Sequence, residues 1–123
     1  MSAQDDTLKE ALLRIEADLR EIATSEHSVY DAGWRVYSEA LGHADKSRDI
    51  LWPLWLMWGA LTDWLENRPH EANEAEAAMR RAAREWLSLA NDQSARDAYF
   101  ERWLYDELGY ERARHVPESD GAG

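Results

Sequence analysis

The segment ILWPLWLMWGAL, residues 50–61, has no side chain more polar than an indole, and it carries three of the chain's seven tryptophans. Asp49 can cap a helix over this segment, and Pro53 then falls in the first turn, where an N–H has no intrahelical partner to lose. The pair Arg68-Pro69 ends such a helix, because a residue before proline avoids the helical conformation. We therefore predict one Trp-rich helix from about Ile50 to Asn67.

At about 100° per residue, seven apolar side chains share one broad face of this helix: Leu51, Leu54, Met57, Trp58, Leu61, Trp64 and Leu65. In the N-terminal half the opposite side is apolar as well, with Trp52, Trp55, Leu56 and Gly59. A helix that is apolar on every side lies in a protein core or in a bilayer. A bilayer needs about 20 apolar residues, so we expect no membrane span. The segment should be covered by helices of its own chain or of a second copy.

The composition points to one class of fold. Only three prolines and six glycines occur in 123 residues, and no alternating run of β-branched residues is present. We predict an all-α protein, a four- or five-helix bundle around the Trp-rich helix. Residues 1–123 are expected to form a single helical domain, with frayed or disordered ends at 1–6 and 116–123.

Before the Trp-rich helix, a seam of apolar residues predicts a helix that starts at Thr7: Leu8, Leu12, Ile15, Leu19 and Ile22. The pattern leaves open whether residues 7–41 form one helix or two. The seam could continue to Leu41, but 24–28 is a run of weak helix formers, and Ser28 with Asp31 could form a capping box. Gly42 is expected to end this region.

Two parallel stripes mark the second half of this region. The aromatic stripe, expected in a core or an interface, consists of Tyr30, Trp34, Tyr37 and Leu41. A seam of small residues runs beside it and consists of Val29, Gly33, Val36 and Ala40.

After the Trp-rich helix, Pro69 opens a helix whose alanine-rich face should lie against the Trp-rich helix. Residues 91–94 form a turn with capping side chains, and the last helix is expected from Ala95 to Leu108, ending at Gly109.

The charge balance limits the partners. The chain has 25 acidic and 14 basic residues, for a formal charge of -11. This balance opposes nucleic-acid binding, which is driven by Lys and Arg, and it favours a basic protein partner or simply solubility. The absence of cysteine excludes thiolate chemistry and disulfides. Because the first thirty residues contain no signal-peptide core, we expect a cytoplasmic protein.

Signals for chemistry are weak. Glu39/His43, His70/Glu74 and Glu111/His115 have i,i+4 spacing, but dimetal bundles use Glu-x-x-His inside core helices. These histidines lie near predicted helix ends, so no metal site is predicted. The sequence contains no serine-nucleophile motif and no Gly-rich phosphate loop. We therefore predict no catalytic residue and no cofactor, and an enzyme is the less favoured class.

Two hypotheses for function remain. The first is a small acidic helical interaction protein, of the inhibitor, immunity, anti-defence or regulatory type, that docks on a basic protein surface. The second is a homodimeric bundle that binds an apolar or cationic small molecule in an aromatic-lined pocket. A homodimer is expected, because pairing would remove the apolar patch from water. The candidate interface or ligand residues are Trp34, Tyr37, Trp52, Trp55, Leu56 and Trp58.

Overall fold

The computed structural model describes residues 3–26, 29–47, 49–89 and 92–109. Within these residues no strand occurs, and five α-helices follow one another: α1 (Ala3–Thr24), α2 (Tyr30–His43), α3 (Leu51–Asn67), α4 (Ala72–Leu87) and α5 (Gln93–Glu101). Short 3₁₀ turns, Ala44–Lys46 and Pro69–Glu71, precede α3 and α4, and a π-helical turn, Arg102–Glu107, continues α5. The predicted all-α bundle is confirmed. The predicted disordered tail, 116–123, lies outside the described residues.

Helices α1 to α4 form a closed ring. α1 contacts α2 and α4, and α3 contacts the same two helices. α1 and α2 run antiparallel, because Arg14 pairs with Glu39 while Asp18 and Glu21, further along α1, pair with Arg35, which comes earlier in α2. α2 is also antiparallel to α3. The Tyr30 hydroxyl, at the start of α2, donates a hydrogen bond to Glu66 near the end of α3, whereas Tyr37 lies against Gly59 near the middle of α3. α5 and the π-helical turn pack on one side of this ring, against α3 and α4.

The buried face of α3 is largely the face that the sequence predicts. Five of its seven predicted members are fully buried, namely Leu51, Leu54, Met57, Trp58 and Leu61. The last two, Trp64 and Leu65, are half-buried. Thr62 also lies in the core, where its hydroxyl donates to the Trp58 carbonyl oxygen at 2.9 Å. Within the described residues, no helix is both long and apolar enough to cross a bilayer.

α2 crosses the buried face of α3 at Gly33. A Cβ atom at Gly33 would collide with Cε of Met79 and would lie 3.4 Å from Thr62 Cγ2 and 3.7 Å from Trp58 Cε3. These neighbours belong to the buried core, and a close-packed core has no spare volume for a side chain. Gly33 therefore leaves room for the end of the Met79 side chain of α4 beside α2, with Thr62 and Trp58 of α3 in contact range. The predicted seam of small residues is the buried face of α2.

The region 7–41, where the sequence allows one helix or two, forms two helices with a break after Thr24. α4 holds this break: Arg80 Nε donates to the Ser25 carbonyl oxygen at 3.0 Å, and Arg84 Nη1 donates to that of Ala23 at 3.4 Å. A helix end leaves such carbonyls without an intrahelical partner, so the two arginines replace a continuation of the helix. The predicted capping residue Ser28 lies outside the described residues.

Two predicted helix ends are wrong. α1 begins at Ala3 and not at Thr7, so residues 3–6 are helical; acidic residues favour a helix start, and residues 5 and 6 are both aspartates. Gly42 does not end α2, which continues to His43 and then tightens into the 3₁₀ turn. Among the described glycines, only Gly109 has a positive φ, of 79°, and it follows the π-helical turn where the last helix was expected to end.

The cap of α3 also differs from the prediction. Asp49 does not cap this helix; Ser47 Oγ accepts hydrogen bonds from the backbone N–H of Ile50 at 3.2 Å and of Leu51 at 3.4 Å. The Ser47 carbonyl oxygen accepts a further bond from the N–H of Trp52 at 2.9 Å. Ser47 directly follows the 3₁₀ turn Ala44–Lys46, a turn that the sequence pattern does not reveal.

α4 buries its alanine-rich face, but it packs more extensively against α1 than against α3, so the expected pairing with the Trp-rich helix is only part of its role. α5 covers the C-terminal half of α4 with an aromatic cluster. The Trp86 ring lies 5.7 Å from that of Tyr99 and 5.6 Å from that of Phe100. The Tyr99 hydroxyl donates to the Ala82 carbonyl oxygen at 2.8 Å, and burial raises the pKa of Tyr99 well above its usual value.

We expect Gly33→Val to lower the free energy of unfolding by about 1–3 kcal/mol, because the added carbons must displace buried side chains. Gly42→Val is the matched control: Gly42 is exposed in the same helix, and an added Cβ there meets nothing within 4 Å. Its effect should stay within about 0.5 kcal/mol. Urea unfolding followed by circular dichroism measures both, and equal effects would contradict the close packing at Gly33.

Ser47→Ala should lower the free energy of unfolding by about 0.5–2 kcal/mol, the range for loss of a capping hydroxyl. Asp49→Ala should leave it within about 0.5 kcal/mol, since the exposed Asp49 does not cap α3. The same urea experiment compares the two variants. A larger loss for Asp49→Ala than for Ser47→Ala would restore the cap predicted from the sequence.

Candidate functional site

Three of the four large apolar side chains that are exposed among the described residues lie on the α2–α3 hairpin. We define the outer face by five of its residues: Trp34, Tyr37 and Leu41 on α2, and Trp52 and Trp55 on α3. Trp34 and Leu41 are each 46% exposed and Trp52 is 37% exposed, whereas Tyr37 and Trp55 are half-buried. Large apolar side chains exposed together on one face are typical of interaction surfaces.

Contact between Tyr37 and Gly59 joins the two halves of the outer face. A Cβ atom at Gly59 would lie only 3.1 Å from Tyr37 Cε1 and 3.2 Å from Cδ1, so the ring rests on the backbone of α3 where that helix has no side chain. Trp34 lies beside this ring, with 6.2 Å between the ring centroids. The α2 aromatics are therefore fixed relative to α3, and their exposed edges belong to one surface.

On α3, Trp52 and Trp55 support each other. Their ring centroids are 4.9 Å apart in an edge-to-face arrangement, a favoured geometry for two aromatic rings. This contact holds Trp52 in place although more than a third of its surface is exposed. Leu56, one residue further along the helix, is half-buried.

Trp58 is not part of the surface. Its side chain is 0% exposed and lies near Gly33 in the core, so in this fold it cannot contact a partner or line an open pocket. The other five candidate residues lie on the α2–α3 hairpin. Leu41 is as exposed as Trp34. Leu41 is the last member of the predicted aromatic stripe, but nothing in the sequence marks this aliphatic residue as a candidate interface residue.

Carboxylates lie beside the end of the outer face that carries Trp34. Asp31 and Asp63 are exposed, and neither forms an ion pair with another described residue. The Tyr30 hydroxyl donates a hydrogen bond to Glu66, which raises the pKa of Tyr30 above its usual value. Arg35, which lines the same cleft as Trp34, is occupied by Asp18 and Glu21 of α1, each at 3.0 Å. Among the described residues at this end of the face, the uncompensated charge is therefore negative.

Two of the clefts that the described residues form are large enough to matter, and neither of these two is walled by the predicted aromatic set. The smaller, of about 330 Å³, is lined by Tyr30, Asp31, Trp34 and Arg35. The larger, of about 540 Å³, is lined by Ala60, Asp63, Trp64, Asn67, Arg68, Glu107, Leu108 and Gly109. It contains none of the six candidate residues. Sequence reasoning missed this cleft because α3 and the π-helical turn, which form it, are distant in the chain.

The Glu/His pairs do not assemble a metal site in the described part of the chain, where no group of three potential ligands occurs. His43 Nε2 lies 3.4 Å from Glu39 Oε2, but Arg14 Nη2 lies 2.6 Å from the same oxygen. The hydrogen bond from Arg14 lowers the pKa of Glu39. This carboxylate therefore serves to tie α1 to α2. His70 contacts Glu71 at 3.4 Å, and the pair Glu111/His115 lies outside the described residues.

Comparisons with models of protein families, with curated proteins and with solved structures found no match to this chain. The geometry described above is accordingly the basis for any functional assignment.

Replacing both Trp34 and Trp52 by Phe should markedly reduce the fraction of tryptophan fluorescence that acrylamide quenches, because these two indoles are the exposed ones on the outer face. Acrylamide is neutral, so the charge of -11 does not repel it. Trp58→Phe is the control and should not lower the quenchable fraction, since Trp58 is fully buried and its loss removes only shielded emission. A loss of quenching in Trp58→Phe, with folding intact by circular dichroism, would contradict this placement.

Proposed function

We propose that this protein is a cytoplasmic acidic interaction protein, of an inhibitory, immunity, anti-defence or regulatory type, that docks through its outer face on a basic protein surface. The observation that carries the proposal is the exposure of Trp34, Leu41 and Trp52 on one face, beside the carboxylates of Asp31 and Asp63, which form no ion pair within the described part of the chain. An apolar centre with a charged rim is the usual arrangement of a protein–protein interface.

The two kinds of group have different roles in this proposal. Exposed tryptophans are the side chains that most often dominate binding energy, because a partner's pocket can remove a large apolar area from water at once. The carboxylates and the net charge of -11 accelerate encounter with a basic partner and orient it. A suitable partner offers apolar pockets for the indoles and Lys or Arg side chains around them.

A second copy of the chain is the competing occupant of the outer face, as in the homodimer expected from the sequence. Symmetric pairing through this face would join two chains that each carry -11. Like-charge juxtaposition at an interface is costly. A basic partner removes this repulsion, so charge complementarity favours a heterologous complex.

The small-molecule alternative receives less support at this face. The side chains of Trp34, Tyr37, Trp52 and Trp55 form a surface, and Trp58, which was to complete the pocket, is buried. Small-molecule sites are usually concave and enclose most of the ligand, and a surface of this kind fits a macromolecular partner better.

The test is a low-salt pull-down from the native host with three baits: the unchanged protein, Trp34→Ala/Trp52→Ala, and Leu13→Ala. Leu13 is 64% exposed on α1 and provides the matched control for the loss of an exposed apolar side chain. We expect a basic protein that the unchanged and Leu13→Ala baits retain and the double variant loses. With that protein purified, either single Trp→Ala change should weaken binding by about tenfold or more.

Salt provides the second arm of this test. The association rate with the purified partner should fall as ionic strength rises from 50 to 500 mM, because salt screens the attraction between exposed charges. Asp31→Asn should make the association rate less dependent on salt, because it removes one of these charges. Equal retention by all three baits would contradict docking through the outer face. Sedimentation equilibrium showing a dimer that Trp34→Ala/Trp52→Ala dissociates would assign the face to a second copy instead.

A further inference from the structure

The larger cleft has the dimensions of a ligand site. It lies between the C-terminal end of α3 and the end of the π-helical turn, and its volume is about 540 Å³. Small-molecule sites typically measure about 300–1,000 Å³. Because the walls come from α3, from the linker after it and from residues 107–109, the cleft exists only in the folded bundle.

One wall of the cleft is an indole with a fixed orientation. Trp64 is half-buried, and its Nε1 donates a hydrogen bond of 2.6 Å to Glu71 Oε1. This bond lies in the plane of the ring and keeps the indole from rotating. A carboxylate that accepts the indole proton also pushes electron density into the ring, which strengthens the attraction between the ring face and a cation.

The charges of the cleft leave one carboxylate without a partner. Three ionised side chains line it, those of Asp63, Arg68 and Glu107. Glu107 Oε1 accepts a hydrogen bond from Arg81 Nη2 at 2.9 Å, and Arg68 Nη1 lies 3.7 Å from Glu71 Oε1. Asp63 forms no ion pair with any described residue. The site thus combines an aromatic wall with one unneutralised negative charge.

We propose that this cleft binds the head group of an organic cation, an alkylammonium or a guanidinium, which pairs with Asp63 and stacks on Trp64. An anion is disfavoured because Arg68 and Arg81 both face carboxylates. A divalent metal ion requires several oxygen ligands, whereas the described lining offers Asp63 alone as a carboxylate without an ion pair to a described residue. The cation can be a free small molecule or a Lys or Arg side chain of another protein, and this site does not require the outer face to dock.

The experiment follows the indole N–H signals of the labelled full-length protein by ¹H–¹⁵N correlation NMR at low salt. The Trp64 signal is identified by its loss in Trp64→Phe. The probes are N-acetylarginine amide, N-acetyllysine amide and choline. Their neutral isosteres are N-acetylcitrulline amide, N-acetylnorleucine amide and 3,3-dimethylbutan-1-ol, which have nearly the same shape without the charge.

We expect at least one cation to shift the Trp64 signal saturably while its isostere does not. Asp63→Asn should weaken that binding by about tenfold, as loss of a charge-assisted contact does. Asp31→Asn removes an equal charge from α2 outside the cleft and should leave the affinity within about twofold. Preference for choline would indicate a free quaternary ligand, and preference for the amino-acid amides would indicate a side chain of a partner.

Any of three results would overturn the proposal. These are equal shifts by cations and isosteres, equal affinity of the Asp63→Asn and Asp31→Asn variants, and the absence of any saturable shift. Trp34→Ala/Trp52→Ala should bind the cation like the unchanged protein, so a failure of docking at the outer face and a failure of this site are distinguishable.

Discussion

The rest of the structure depends on the close packing of α2 against α3 and α4. At Gly33 the terminal Cε of Met79 occupies the position that a Cβ atom would take, and Thr62 and Trp58 of α3 lie in contact range. This packing removes Trp58 and Met79 from water. One turn further along α2, Tyr37 then reaches the backbone of α3 at Gly59. The exposed aromatic residues consequently occupy defined positions on a rigid hairpin.

The same packing explains which parts of the structure were predictable. Helical periodicity placed Leu51, Leu54 and Leu61 in the core correctly, because burial of one face follows directly from a period of 3.6 residues. Periodicity also placed Trp58 and Trp52 on opposite sides of the helix, and the structure buries the first and exposes the second. An all-round apolar segment does not reveal, however, how much of the second side the chain's own helices cover. That coverage depends on where the other helices pack.

Features that rest on contacts distant in sequence were missed for a physical reason. The end of α1 is held by arginines of α4, and Arg81 of α4 binds Glu107 of the π-helical turn. Such partners depend on the positions of whole helices, which a single sequence pattern does not fix. The cleft at Trp64 is of the same kind, because one wall comes from α3 and the other from residues 107–109.

The contacts that the arginines make also influence the charge of the surface. Arg14, Arg35, Arg81 and Arg102 pair with carboxylates of other helical segments, and Arg80 donates to the Ser25 carbonyl oxygen just after α1. These five of the 14 basic residues are thus engaged in holding the bundle together. The acidic residues outnumber them, and those near the outer face and in the cleft remain exposed. The negative field at these sites is thus partly a result of how the helices are joined.

Both proposed sites lie on one helix, and its geometry limits a partner that would use both. From Trp52 to Trp64, α3 rises about 18 Å at 1.5 Å per residue. A partner that covers the indoles of the outer face and also inserts a cationic side chain beside Asp63 must present these two features at about that separation. Such a partner would gain from two linked contacts, since the second forms within the complex. A partner that meets only one requirement would bind more weakly, and therefore a rigid α3 favours selectivity.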